Sequence, residues 1–356
     1  MEADSMALPV IDTVNTTRIP LSNPNKVSVY VSRMLWPTKH SAKKPKVIIL
    51  APNGLFFYAY MAASLVHDPI VGVEMLIPLN ELPEETIQEI KRLDPEGSSG
   101  LPPIVLVGPF KRCVAEAVER LGYKTLTICE KDIFETSARV AILRKRIIPE
   151  SPDGPISLFI VSVSQPYDSL PVPYYATHSG VPILFTHPDR LPHATALILE
   201  KLCDNVVYTV GNECLISEQV IQQISDIVQP PVRRIAGRNP FETSVEFAAY
   251  YDPETKLGWN RNRKGRGDAF TFTNIDRWDL GIAAANFAHH GKHTPLLLTE
   301  CDELPPCVRN YLDFLRPPHR MPPMPPFMHS FIIGEQRDIS FQTQTKIDEH
   351  IQMEHK

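Results

Sequence analysis

A four-residue string, Phe-Glu-Thr-Ser, occurs twice in this chain, at 134–137 and again at 241–244, 107 positions apart. A repeat at fixed period governs every other inference about a fold, so it is tested before any local reading. The longer segments are "TICEKDIFETSARVA" from Thr127 and "RIAGRNPFETSVEFA" from Arg234. A fainter copy, "RIPLSNPNKVSVYVS", begins at Arg18, 109 positions before Thr127, with Asn25-Lys26-Val27-Ser28 in place of the four-residue core.

The intervening segments align as well. A first apolar run appears as "VIIL" (47–50), "SLFIV" (157–161) and "AFTFT" (269–273). An aromatic step follows: "LFFYAYMAASL", "PYDSLPVPYYA" and "RWDLGIAAANFA". A second apolar run closes on Leu-Pro each time, in "EMLIPLNELP", "PILFTHPDRLP" and "PLLLTECDELP". Helical segments come next, "PEETIQEIKRL", "PHATALILEKL" and "PPCVRNYLDFL", and then a third apolar run that ends in glycine, "IVLVG", "VVYTVG" and "FIIG". The runs are short and rich in β-branched residues, as for strands buried on both faces of a parallel sheet. The expected fold class is therefore α/β: three tandem units with mainly parallel sheets, each sheet of about four strands.

The recurring motif carries its own helix-start chemistry. In "NPFETS", Asn239 suits the N-cap, Pro240 the first helical position and Glu242 the third position of a capping box. "KDIFE" repeats this with Asp132 and Glu135. Helix initiation and ligand binding are both open as roles for Glu135, Thr136, Glu242 and Thr243.

Bulk properties narrow the function. A chain of 356 residues suits more than one core. A net charge of −5 argues against a dedicated nucleic-acid binder. No stretch approaches the length of a membrane span. The six cysteines form no C-x-x-C pair and read mostly as core thiols. The proline-rich "PPHRMPPMPP" (317–326) reads as an extended surface loop. No cofactor is expected. His289, His290 and His293 gather in "AHHGKH", but adjacent histidines on a helix point in different directions, so no metal centre is expected.

With these segments in view, the chain resembles the cell-wall-binding type 2 repeat family. "RIAGRNPFETS", "RWDLGIAAANFA", "TPLLLTECDELPPCV" and "VVYTVGNECLISEQV" carry the likeness, which extends over nearly all of residues 18–356 as three tandem copies, the first degenerate. The resemblance implies a pseudo-threefold, Rossmann-like assembly that binds an anionic cell-wall polymer without catalysis. It divides the chain into a tail (1–17) and repeats at 18–126, 127–233 and 234–356. The third repeat runs out of chain after "FIIG", so segment 18–33 is expected to complete it. The aromatic-Asp step survives as Asp168 and Asp279, with Tyr58 in the first copy; the opening arginine survives as Arg18 and Arg234, with Thr127 in the second.

Cations collect at one point in all three repeats, after the motif helix and before the first strand. They are Lys39, Lys43, Lys44 and Lys46; Arg144, Lys145 and Arg146; and Lys256, Arg261, Arg263, Lys264 and Arg266. Such a pattern in an acidic protein favours phosphate or carboxylate polymers, and helix C-terminal complementation explains the same residues. The third stretch, 256–267, reads as an excisable surface insert whose Trp259 either stacks on a sugar ring or packs. Asp168 and Asp279 stand where open α/β sheets bind ligands. The expected binding residues are thus these two, Arg234, the motif Glu and Thr pairs, and the second and third cation groups. Two other classes fit the same residues: an intracellular structural or assembly protein with other protein subunits as partners, and a small-ligand binder or enzyme using the sheet crevices. The family is exported, whereas "MEADSMALPVIDTVNTTRIP" lacks the apolar core of a secretory signal, so cell surface and cytoplasm are both open.

Overall fold

The computed structural model describes residues 12–38, 44–148, 157–291 and 293–354. The expected Lys39 and Lys43 lie outside the described residues. The chain opens with β1 (Thr16–Ile19) and α1 (Pro24–Leu35). It continues through β2 (Val47–Pro52), α2 (Phe56–Ala63), β3 (Gly72–Ile77), α3 (Glu84–Leu93), β4 (Ile104–Val107), α4 (Arg112–Arg120), β5 (Thr125–Ile128) and α5 (Ile133–Ile147). The same order returns as β6 (Leu158–Ser162), α6 (Pro171–Ser179), β7 (Ile183–Thr186), α7 (His193–Lys201), β8 (Val207–Val210), α8 (Glu218–Ser225), β9 (Arg233–Ile235) and α9 (Pro240–Ala249). The third pass is β10 (Ala269–Asn274), α10 (Trp278–Ala283), β11 (Leu296–Thr299), α11 (Pro306–Leu315), β12 (His329–Ile333) and α12 (Phe341–Ile351).

Three four-stranded sheets result, in the orders β3-β2-β4-β5, β7-β6-β8-β9 and β11-β10-β12-β1, with every pair parallel. The central strands are buried on both faces, which is why β2 and β6 read as near-continuous apolar runs, while β10 alternates Phe270 and Phe272 with the buried Thr271 and Thr273. The motif straddles two units. Its strand (β5, β9) is the fourth strand of the preceding sheet, while its helix (α5, α9) packs beside β7 or β11 of the following one. The first copy obeys the same rule around the ring. β1 joins β12 in the third sheet, with Thr16 opposite Ser330 and Ile19 opposite Ile333, and α1 packs on β3 of the first. Val27, Val29 and Val31 lie on α1 and are buried there, so this helix serves the first unit although its strand serves the third.

The Arg-Ile pair and the strand-ending glycine are partners. The amide of Gly108, Gly211 and Gly334 donates in each unit to the carbonyl of Ile128, Ile235 or Ile19 at 3.0 Å. All three glycines have φ near +120°, where a side chain would be strained. In the second and third sheets an arginine closes the loop: Arg234 donates to the Gly211 carbonyl and Arg18 to the Gly334 carbonyl, each at 2.9 Å. Arg18 is 3% exposed and also donates to Gln344 Oε1 at 2.8 Å.

Parallel sheets leave backbone groups unpaired on their edge strands. Here side chains from the motif helix meet them. Ser28 Oγ accepts from the Leu76 amide on β3, and Asn25 Nδ2 donates to the Leu76 carbonyl. Ser244 Oγ likewise accepts from the Leu298 amide on β11. The serine that ends Phe-Glu-Thr-Ser is fully buried in every copy (Ser28, Ser137, Ser244).

One apolar core runs through the centre, drawing on Ala59, Met61 and Ala62 of α2, Val172 and Ala176 of α6, and Leu280 and Ala283 of α10. Polar contacts stitch its three seams. Tyr60 donates to the Pro166 carbonyl, Tyr174 donates to the Gly281 carbonyl at 2.8 Å, and Asn286 pairs with both the amide and the carbonyl of Glu74. Glu74 itself turns a carboxyl into this seam. It is 3% exposed, neither oxygen has a hydrogen-bond partner among the described residues, and burial raises its pKa well above the usual carboxylate range.

Two further readings need correction. The cysteines are not core thiols: Cys113 and Cys214 are exposed, and Cys129, Cys203, Cys301 and Cys307 are half-buried and free. They sit at helix starts, in strand-end loops and, for Cys203, in the turn after α7 rather than within the sheets. The insert 256–267 is not excisable. Leu257 and Trp259 are buried, the Gly258 amide donates to Tyr175 Oη at 2.7 Å, and Arg261 pairs with the buried Asp268 at 2.9 Å.

Replacing Arg18 with Met should cost about 2–4 kcal/mol, because buried carbonyl and amide acceptors lose their donor. Hydrogen exchange should quicken in β12 and β10 and stay unchanged in β2 and β4. Glu74→Gln should behave oppositely. A carboxyl whose folded pKa is raised contributes most below about pH 4.5 and loses that contribution as pH rises. Thermal denaturation should therefore show Glu74→Gln more stable than the parent at pH 8, with the gain shrinking at pH 4.5.

Candidate functional site

The expected site residues fall into two groups, at opposite ends of the sheets. The first surrounds the motif helix starts. Asn239 Oδ1 and Asp132 Oδ1 accept from the amides of Glu242 and Glu135, each at 2.9 Å, and Asn23 does the same for Lys26 at 3.1 Å. Thr136 and Thr243 are buried. Each donates to the carbonyl of its own N-cap residue and accepts from a preceding amide, that of Glu130 or Gly237. Gly237 has no room for a side chain: a Cβ there would lie 2.3 Å from Glu242 Cβ. Glu242 accepts from the Arg238 amide at 3.0 Å and from Nε and Nη2 along one edge of its guanidinium, which holds the carboxyl below its ordinary pKa.

Glu242 and Glu135 line clefts between the motif helix and the third helix of the unit. The cleft in the third unit has a volume of about 450 Å³ and is walled by Arg238, Asn239, Glu242, Glu300 and Glu303. Its counterpart in the second unit, about 240 Å³, is walled by Glu130, Glu135, Arg139, Leu197 and Lys201. In the first unit Lys26 takes the place of the glutamate and pairs with Glu85 at 3.5 Å. Arg234 is occupied by the Gly211 and Ile216 carbonyls and by Glu218 at 2.7 Å. Asp168 is half-buried after β6, and burial pushes its pKa up to about 6. Asp279 pairs with Arg277 at 3.1 Å, and Arg277 also reaches Asp338 and the Ser22 carbonyl. Carboxylates are prominent among the polar groups at this end.

The second group lies at the opposite, amino end of the strands. Arg144 was expected as a surface cation, yet it is 1% exposed. α5 carries it into the seam between the first two units, where its guanidinium donates to the carbonyls of Gly180, His67 and Asp68. Lys145 and Arg146, the next two residues, are exposed. Arg261 pairs with Asp268 and donates to the His293 carbonyl at 3.1 Å. Arg266 lies 3.6 Å from the same aspartate, Lys264 pairs with Glu354 at 2.5 Å, and Arg263 is exposed. Trp259 packs: its ring stacks on His178 with centroids 4.6 Å apart.

Histidines, which the sequence reading set aside, meet here from all three units. Each follows the central helix of its unit: His67 after α2, His178 on the last turn of α6, His289 and His290 before β11. His67 and His289 approach to 4.7 Å between centroids, and His178 and His293 to 5.2 Å with their Nδ1 atoms 3.3 Å apart. Among the described residues no group of three or more His, Cys, Asp or Glu is placed to hold one metal ion. A cavity of about 590 Å³ opens beside them, walled by Lys44, Lys46, Asp68, His289, His290 and His293. A sequence signal for this convergence existed, namely one histidine at the same topological step of each repeat.

No protein-family model matches the chain. Among solved structures it is similar to Cwp8 from Clostridium difficile (TM-score 0.73, 21% identity, covering 96% of this chain and 52% of that one). It is also similar to Cwp6 from Clostridium difficile (TM-score 0.72, 16% identity, covering 99% and 51%). A stretch of 152 residues is 28% identical to the amidase enhancer of Bacillus subtilis (strain 168), covering 43% of this chain and 19% of that protein. The chain thus spans about half the length of the two solved proteins and a smaller share of the third. The likeness extends over all three units and shows a shared fold. Among the described residues no helix is long and apolar enough to cross a membrane.

The seam histidines make stability pH-dependent. Burial lowers the pKa of His67 and His289 and takes His178 down to about 4. A folded pKa depressed below about 6.5 gives stability that is complete above that pH and declines as pH falls toward 4. Between pH 6.5 and 5 the loss should be about 1 kcal/mol for His178, allowing for partial exposure. Chemical denaturation across this range should show a shallower slope for His178→Gln than for the parent.

Proposed function

We propose that this chain is a non-catalytic, cell-wall-associated module that holds an anionic glycopolymer of the envelope, the role that its resemblance to cell-wall-binding type 2 repeats implies. The observation that carries this reading is the complete three-unit body shared with Cwp8 and Cwp6, matched over 96% and 99% of the chain. The partial likeness to the amidase enhancer points to the same setting. The charge distribution supports an electrostatic contact at the amino ends of the strands. Lys145, Arg146 and Arg263 are exposed there, and Lys44 and Lys46 border the cavity. The carboxyl-end clefts suit an anion less well, since Glu242, Glu300 and Glu303 outnumber Arg238 in one, and Glu130 and Glu135 balance Arg139 and Lys201 in the other. Their motif residues are engaged in starting helices and covering a sheet edge, which supports a scaffold rather than a reaction centre.

The test is sedimentation with purified cell walls carrying their anionic polymer. Binding should be saturable and fall several-fold between about 50 and 500 mM salt as exposed charges are screened. The combined change Lys145→Ala, Arg146→Ala and Arg263→Ala should weaken it with no loss of thermal stability. Walls stripped of the polymer that bind equally well would refute the reading.

A further inference from the structure

The cavity at the seam of the first and third units is not a neutral hollow. Its wall presents Lys44, Lys46, His289, His290 and His293 against one carboxylate, Asp68. Behind that aspartate lies Arg144. Its guanidinium is almost wholly buried, and its hydrogen bonds go to backbone carbonyls, of Gly180, His67 and Asp68, and to the His67 ring. Carbonyl oxygens satisfy the N–H groups but carry no full charge, and the one carboxylate acting on Arg144, that of Asp68, offsets part of its positive field. The field acts on the neighbours: Arg144 adds to the burial that lowers the pKa of His67. Lys44 donates to the Asp94 carbonyl at 3.1 Å, another neutral acceptor. The seam is therefore built with more positive charge than negative around an open space, where among the described residues cations and histidines from different units converge.

We infer that this cavity is an anion-binding site for a phosphate-type group, held by Lys44 and Lys46 at its rim with the field of Arg144 behind it and the His293 ring beside it. The inference rests on the reading of the chain as an anion-binding module and locates the contact. A tetrahedral anion accepts several charge-assisted hydrogen bonds from ammonium and imidazole N–H groups. A volume of about 590 Å³ exceeds what one phosphate needs and leaves space for an attached sugar or glycerol unit. The shared chemistry is a phosphate group, either free or as a diester within a polymer.

Isothermal titration of the full chain at low ionic strength decides the matter, with inorganic phosphate in one arm and a glycerophosphodiester in the other. Saturable binding is expected in at least one arm, and the arm that binds identifies the source. The double variant Lys44→Ala/Lys46→Ala should bind at least tenfold more weakly. Arg112→Ala, which removes an exposed cation on α4, should leave the affinity unchanged. Equal weakening by Arg112→Ala, unchanged affinity in the lysine variant, or no saturable binding in either arm overturns the proposal. Because Lys44 and Lys46 lie on the loop before β2, circular dichroism of the variant confirms that lost affinity is not lost fold. Wall sedimentation in parallel separates the two readings. Phosphate binding without wall binding overturns the polymer role and leaves the site standing. Wall binding that survives the lysine change, when phosphate binding does not, moves the polymer contact elsewhere.

Discussion

A parallel sheet cannot be left with a bare edge, and the way this chain covers its edges organises everything else. An edge strand carries a row of amides and carbonyls that seek partners. On β3 the Leu76 amide and carbonyl are met by Ser28 and Asn25 of α1, and those of Glu74 by Asn286 of the third unit. On β11 the Leu298 amide is met by Ser244 of α9. Each motif helix must therefore sit beside the sheet that follows it, while the strand just before it belongs to the sheet that precedes it. Repeating this step three times returns the chain to its own first strand, and the ring closes where β1 pairs with β12. Tyr60, Tyr174 and Asn286 then join the units across the central core.

This division of labour explains why the most conspicuous motif binds its own backbone. Its arginine and isoleucine clamp a strand-ending glycine, its Asx residue and glutamate start a helix, its threonine ties the turn, and its serine serves the edge strand. Each of these groups is also a good ligand for an anion or a sugar. Geometry decides between the roles, because Thr136, Thr243 and Ser244 are buried and their hydrogen bonds are already made.

The charges tell a complementary story. In the third unit the insert that follows the motif helix keeps its cations close to carboxylates: Arg261 and Arg266 share Asp268, and Lys264 pairs with Glu354. The second unit instead sends Arg144 inward against carbonyls, and the first unit contributes Lys44 and Lys46 to a cavity rim. The positive field is thus concentrated at a seam rather than spread over three equal sites. Burial lowers the pKa of His67, His178 and His289 at this seam, which ties the stability of the ring to pH.

The sequence by itself determined the number of units, the strand and helix order, the helix caps at Asp132 and Asn239, and the recurrence of a strand-ending glycine, because each depends on residues close together along the chain or on a repeated period. It also required a partner for the unpaired third sheet. Only the tertiary structure decided that Arg144 is buried, that 256–267 is packed around Leu257 and Trp259, that the cysteines lie away from the core, and that histidines from three units meet. A basic side chain after a helix looks the same in sequence whether it faces solvent or a seam, since burial depends on which surface the next unit brings to it. For Arg144 that surface is made by His67 and Asp68 of the first unit and Gly180 of the second, contacts that no local pattern of residues encodes.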